Sequence, residues 1–260
     1  MSNNYWAERI ANAQTAITSK SIKATERQLA RYYERAMRKT IREFEATYDK
    51  LLATIGEGRT PTPADLYKLD RYWELQAQCR NELQRLGYNQ IALFSDSFES
   101  QYFDIYNSIS IPGGQAFNTI STENVRQMTE SIWCADGKSW SQRIWENTDY
   151  LLETLNEGLI ECVATGKKPS ELKQRLQERF NVSYNQADTI VRTESAHIQT
   201  EAAKKRYQDY GIQMVEVLAD KDERRCEVCG KLHQKRYPVG AQMPVPAHPR
   251  CRCCIIPVIE

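Results

Sequence analysis

Apolar side chains between Ile22 and Ile55 recur at Leu29, Tyr33, Met37, Ile41, Phe44, Tyr48 and Leu51. Most steps are of three, four or seven, which is the spacing of one helical face. The pattern predicts a helix of roughly 34 residues, about 50 Å long. GEGRTPTP (Gly56–Pro63) interrupts it, and Thr62 as N-cap, Pro63 in the first turn and Asp65 near the positive end start another helix. That helix is expected to run to Leu86, with Gly87 as its C-cap, and a further one to cover about Tyr88–Asn107. Ile111-Pro112-Gly113-Gly114 marks a loop and a boundary. Asp136-Gly137-Lys138 reads as a turn. After it, Trp140, Ile144, Trp145, Leu151, Leu152 and Leu155 open an amphipathic helix that continues through Leu159, Ile160 and Val163 to Gly166. Pro169-Ser170 begins a short helix to Phe180. Ser183, with Gln186 three residues on, has the capping-box pattern of a new helix running to Tyr210, closed by Gly211.

Beyond Gly211 the period changes from helical to alternating. MVEVLA (Met214–Ala219) predicts a strand, and Ile255–Ile259 a second, which Pro257 restricts to a sheet edge or a strand end. The expected fold is mainly α: an elongated N-terminal helical region and a helical body, followed by a small β-rich C-terminal knuckle (α+β). The expected domains are 1–110, 111–212 and 213–260.

Charge refines this picture. The 260 residues carry 35 Lys/Arg and 34 Asp/Glu, a net charge of +1. Near-balance excludes a wholly basic nucleic-acid coat and an acidic disordered tail. No apolar run approaches the ~20 residues needed to span a bilayer, and MSNNYWAERIANAQ lacks a basic then apolar leader. A cytoplasm-like compartment and no membrane partner are expected. Locally the balance breaks. Between Lys20 and Arg42 there are eight Lys/Arg against two Glu, and Lys23, Arg27, Arg31, Arg35, Lys39 and Arg42 recur at helical spacing. That stripe is either a solvated face or a surface for phosphates or an acidic groove. From Asp96 to Glu161 there are 11 Asp/Glu against three Lys/Arg. This acidic stretch is expected to face the basic helix, within the fold or between subunits.

Five of the eight cysteines, Cys226, Cys229, Cys251, Cys253 and Cys254, lie in the last 35 residues. Cys79, Cys134 and Cys162 are scattered on expected helices and suit buried, small apolar roles. Cys226-x-x-Cys229 and His248-x-x-Cys251-x-Cys253 form two halves of a zinc-type site, since zinc takes four S or N ligands tetrahedrally. Gly230 is expected to give the turn its free backbone. Cys226 and Cys229 are the firmest candidates, then His248 and Cys251. Cys253 competes for one place, because alternate residues of a strand point the same way. Cys254 would face the core, and His233 the surface. So many soft ligands leave no open position for substrate, and so small a knuckle needs the metal to fold, so the zinc is expected to be structural. Arg192-Thr193-Glu194 lies in the capped helix. Arg192 and Glu194, two apart, do not share a face, so each should bond a different element. No P-loop, GxSxG or HExxH occurs.

These motifs together resemble the phage head-morphogenesis family, the minor head proteins typified by those of phages Mu and SPP1. The matching residues are Gly166 and Pro169, then Ile190–Ala196 (IVRTESA), Tyr210-Gly211-Ile212, Asp222, Arg225, Cys226, Cys229 and Gly230, then Pro244, Pro246, His248-Pro249-Arg250-Cys251-Arg252-Cys253 and Pro257. They span roughly Trp140–Val258, with CxxC and HPxCRC the most specific. Arg225 stands where the family usually has Thr. The resemblance implies a non-enzymatic virion component present in few copies inside the head and assembled in the host cytoplasm. The implied partners are the portal protein, capsid or scaffold protein, and packaged double-stranded DNA. The competing readings are an HNH-like nuclease built on His248 and a DNA-binding module. Against the nuclease, Ala241–Val258 contains no Asp, Glu or Asn to hold a hard cation.

Overall fold

The computed structural model describes residues 3–55, 62, 70–111, 119–165, 169–219 and 225–259. In chain order the elements are α1 (Asn3–Ile55), α2 (Asp70–Ser108), α3 (Thr122–Thr129), α4 (Trp140–Thr165), α5 (Pro169–Asp209), β1 (Met214–Leu218), α6 (Glu227–Leu232), β2 (Arg236–Pro238) and β3 (Cys254–Pro257). The fold is mainly α with a small three-stranded sheet near the C-terminus. Most of the GEGRTPTP break, the helix start at Pro63 and Asp65, the Pro112–Gly114 loop, Gly166 and Asp222 lie outside the described residues, as does the side chain of Cys162.

Three helical expectations change. α1 starts at Asn3, not near Ile22. α2 does not stop at Gly87, which is an interior residue of the helix. A Cβ on Gly87 would stand 2.6 Å from the Trp145 ring. The glycine admits a close aromatic neighbour and does not cap anything. α5 runs unbroken through Ser183. That residue is buried, its carbonyl accepts from Asn147 Nδ2 at 2.9 Å, and its hydroxyl lies 3.0 Å from the Tyr33 hydroxyl. The serine belongs to a buried polar network, and the tertiary partners outweigh its local capping signal.

The chain forms two compact units that interleave along the sequence. The first comprises Met1–Glu26, Leu93–Trp140 and Asp188–Glu260. The second comprises Arg27–Ala92 and Ser141–Ala187. In the second unit Leu29, Ala36, Leu83, Ile144, Leu151 and Phe180 are all buried. Inside it the Tyr33 hydroxyl donates to Gln90 Oε1 (3.2 Å) and accepts from Asn147 Nδ2 (3.3 Å). Burial raises the Tyr33 pKa to about 12, so the hydroxyl keeps its proton.

The first unit packs Phe94, Phe98 and Trp140 ring against ring, and Trp140 Nε1 donates to the Thr129 carbonyl at 2.9 Å. α3, which the sequence reading missed, is capped by Ser121, whose side chain accepts from Asn124 N. β1 is the central strand, antiparallel to β2 and β3. Val215 and Val217 are fully buried, as alternation predicts. β3 is an edge strand ending at Pro257, where a missing N–H costs nothing. The early part of α1 covers the sheet: Ala7 and Ala11 cluster with Cys254 and Ile256. Gln14 Nε2 donates to the Tyr207 hydroxyl (2.8 Å), which in turn donates to the Ile255 carbonyl (3.0 Å). Gly211, at φ +74°, closes α5.

Candidate metal centre

The first half of the site is made by a short helix. Cys226 is the N-cap of α6, and its Sγ accepts from the Cys229 backbone N–H at 3.3 Å. One turn then returns Cys229 beside it. Gly230 is helical, donating to the Cys226 carbonyl at 2.9 Å, and its φ is not left-handed. The expected need for glycine freedom at this position is therefore wrong; the helix itself makes the turn. The second half is a loop in which Cys251 N donates to the His248 carbonyl at 3.2 Å.

The two halves meet. His248 Nε2 lies 3.3 Å from Cys226 Sγ and 3.2 Å from Cys229 Sγ, and Cys229 Sγ lies 3.7 Å from Cys251 Sγ. The donor atoms of Cys226, Cys229 and His248 all lie within 4.8 Å of one another, as do those of Cys229, Cys251 and Cys253. Cys229 is common to both groups. Bonds of about 2.3 Å to sulfur and 2.0 Å to nitrogen put tetrahedral edges at about 3.5–3.8 Å, so the cage has nearly the dimensions of a four-coordinate metal site. His248 Nδ1 sits 2.8 Å from the Pro249 carbonyl. That contact orients the ring, fixes the proton on Nδ1 and turns the Nε2 lone pair toward the thiols, the usual outer contact of a metal-binding histidine.

The thiols are unequal. The Cys229 N–H lowers the pKa of Cys226. A hydrogen bond from Cys253 is the main cause that lowers Cys251 to about 5. Burial raises Cys229 to about 12, and the hydrogen bond to Cys251 raises Cys253. A bound divalent cation removes this competition by stabilising several thiolates at once. Among the described residues this cluster can hold a metal ion. Cys254 is buried against α1, as expected. Cys79 is buried too, but Cys134 is half-buried in the bend between α3 and α4 and not on a helix.

Helix α5 fastens the loop. The Thr193 hydroxyl accepts from Arg250 N at 3.1 Å, and Thr189 Oγ1 accepts from Arg250 Nε at 3.1 Å. Asp188, buried, pairs with Arg250 (2.7 Å) and with Arg192 (3.2 Å). Arg250 has a φ of +61°, a conformation that costs a non-glycine residue roughly 1–2 kcal/mol and is held here by those partners. Arg192 also pairs with Glu26 of α1. Glu194 points elsewhere and accepts from Trp133 Nε1 at 2.8 Å. Arg192 and Glu194 thus bond different elements, as their spacing requires. Sequence reading missed Asp188, Thr189 and Arg250. The signals were there: Asp188 stands four before Arg192, and Arg250 sits between two candidate ligands.

The other two histidines stand apart from the cluster. His233 caps α6, its Nδ1 accepting from Ala219 N at 3.3 Å. His197 stacks on Trp133, with centroids 4.3 Å apart, and burial lowers its pKa to about 4. Lys23 in the first unit and Arg27, Arg31, Arg35 and Arg42 in the second are all exposed. In the second unit Arg31, Arg35, Arg38, Lys39 and Arg42 line a shallow groove of about 460 Å³ with Glu34. Lys39 pairs with Glu82 and Arg38 with Glu34. In the acidic stretch, Glu99 pairs with Arg126 and Glu161 with Arg175.

None of the described helices is long and apolar enough to cross a membrane. No curated protein and no solved structure matches the chain significantly. Residues 153–256 match the family model described as Phage Mu protein F like protein. The matched segment contains Asp188, Arg192, Thr193, Glu194, the sheet, and all of the cysteine and histidine donors of the cluster. Through this segment the chain is similar to the Mu protein F-like family of phage head proteins.

Proposed function

We propose that the protein is a minor head component of a tailed phage, bound to the portal inside the head and acting in assembly and in DNA packaging or ejection. The supporting observation is that one segment carries both the family match and the whole cysteine–histidine cage together with its anchor on α5. Similarity to a family of head proteins fits a structural role better than an enzymatic one. Zinc is the metal that suits three or four soft sulfur donors and one imidazole. Cys226, Cys229 and His248 would supply three ligands, and Cys251, 3.7 Å from Cys229, the fourth, with Cys253 beside it. Zinc there would supply folding energy to a knuckle whose sheet has only three short strands. The exposed arginines of α1 suit phosphate contacts inside a DNA-filled head.

Co-expression with the portal protein of the same genome tests this reading. The protein is expected to sediment with the portal ring, and particles made without it are expected to be poorly infectious. Failure to associate with portal, together with normal infectivity of particles lacking the protein, would overturn it. Magnesium-dependent cleavage of plasmid that disappears in His248→Ala would replace it with the nuclease reading.

A further inference from the structure

A cleft of about 610 Å³ opens in the first unit between the early part of α1, helix α5 and the cysteine–histidine loop. Among the described residues its charged lining is Lys23, Arg192, Arg225, Arg250 and Arg252, with Glu26 as the acid. Glu26 is already engaged, paired with Arg192. Lys23 and Arg225 are exposed and take part in no ion pair among the described residues. Arg192 and Arg250 are held by Asp188, Glu26 and Thr189, and they add positive charge to the lining. The α1 wall adds the hydroxyls of Thr15, Thr18 and Ser19. Thr18 Oγ1 accepts from Gln101 Nε2 at 3.3 Å, so its own proton is left to donate.

From this lining we infer that the cleft is a phosphate-binding site, separate from the arginine groove of the second unit. Several cations converge with hydroxyl donors, and among the described residues the one carboxylate of the lining is already paired. Such a lining suits an oxyanion with several acceptor oxygens better than a lone carboxylate. Cys226, Cys229, His248, Cys251 and Cys253 line the same cleft, so part of its volume belongs to the metal cage, and the rest is ample for a phosphate group. The site takes a phosphate group, either a phosphodiester within a DNA strand or a free or terminal phosphate.

The test uses the full chain in its metal-loaded form and two probes, inorganic phosphate and a short oligothymidylate without terminal phosphates. Binding is followed by calorimetry. At least one probe is expected to bind. Lys23→Gln, which is remote in sequence from every metal-ligand candidate, and the pair Arg225→Gln/Arg252→Gln should each weaken binding by about tenfold or more. Metal content and helicity, measured on each variant, should stay unchanged for Lys23→Gln. Binding of the oligonucleotide identifies a strand as the source, and binding of inorganic phosphate alone identifies a free or terminal group. Absence of binding by both probes would overturn the inference, as would binding that Lys23→Gln does not alter. Because neither readout involves portal or infectivity, this result is independent of the head-protein reading.

Discussion

The C-terminal knuckle and the second unit are held together by opposite means. In the second unit buried apolar side chains such as Leu29, Leu83, Ile144 and Phe180 set the packing, and one buried polar network around Tyr33 fixes its register. In the knuckle the strands are three to five residues long, and the loop is placed by clustered thiol and imidazole side chains and by hydrogen-bond acceptors. The lesson is about tolerance. An apolar core spreads its stability over many contacts, whereas a metal-type cage concentrates it in four or five donors.

The sharpest way to break that contrast is Cys229→Ser, because Cys229 belongs to both donor groups. Structural zinc supplies apparent binding energies of roughly 10–16 kcal/mol in small peptides. The variant should lose its metal and become protease-sensitive after Gly211. Hydrogen exchange in the second unit should not change. A smaller effect, confined to the other region, is expected from Gly87→Val. Its side chain would meet the Trp145 ring, which packs edge-on against Tyr88 with centroids 4.9 Å apart. The cost should be about 2–3 kcal/mol, read from denaturant unfolding, with metal content unaltered. The mildest is Thr193→Val, which removes the acceptor for Arg250 N. About 1 kcal/mol of loop anchoring should go with it, seen as several-fold faster metal release to a chelator with little change in global unfolding. Equal sensitivity of both regions to any of these changes would erase the distinction.

How legible each region was follows from the range of its forces. The cysteine–histidine cluster was visible because CxxC and HxxCxC bring their side chains together by local chain geometry, and β1 because Val215 and Val217 alternate with more exposed neighbours. Ser183 misled because its capping-box neighbourhood is local, while Tyr33 and Asn147, the partners that decide its fate, are far away in sequence. Gly87 misled for the same reason, since Trp145 gives it its role. β2 has only three residues, too few to show a period, and it pairs through Arg236 with Glu216 across the sheet (3.1 Å). Arg250 carried no signal of its left-handed backbone, because only the docking to Thr193 and Asp188 sustains it.

The central claim is a closed cage of sulfur and one imidazole around a single structural metal ion. X-ray absorption at the zinc edge on freshly purified, reduced protein tests it most directly. The account predicts about one zinc per chain, with sulfur neighbours at about 2.3 Å and one nitrogen at about 2.0 Å. Protein that folds without metal, or a zinc shell made of oxygen and nitrogen with bound water, would contradict it.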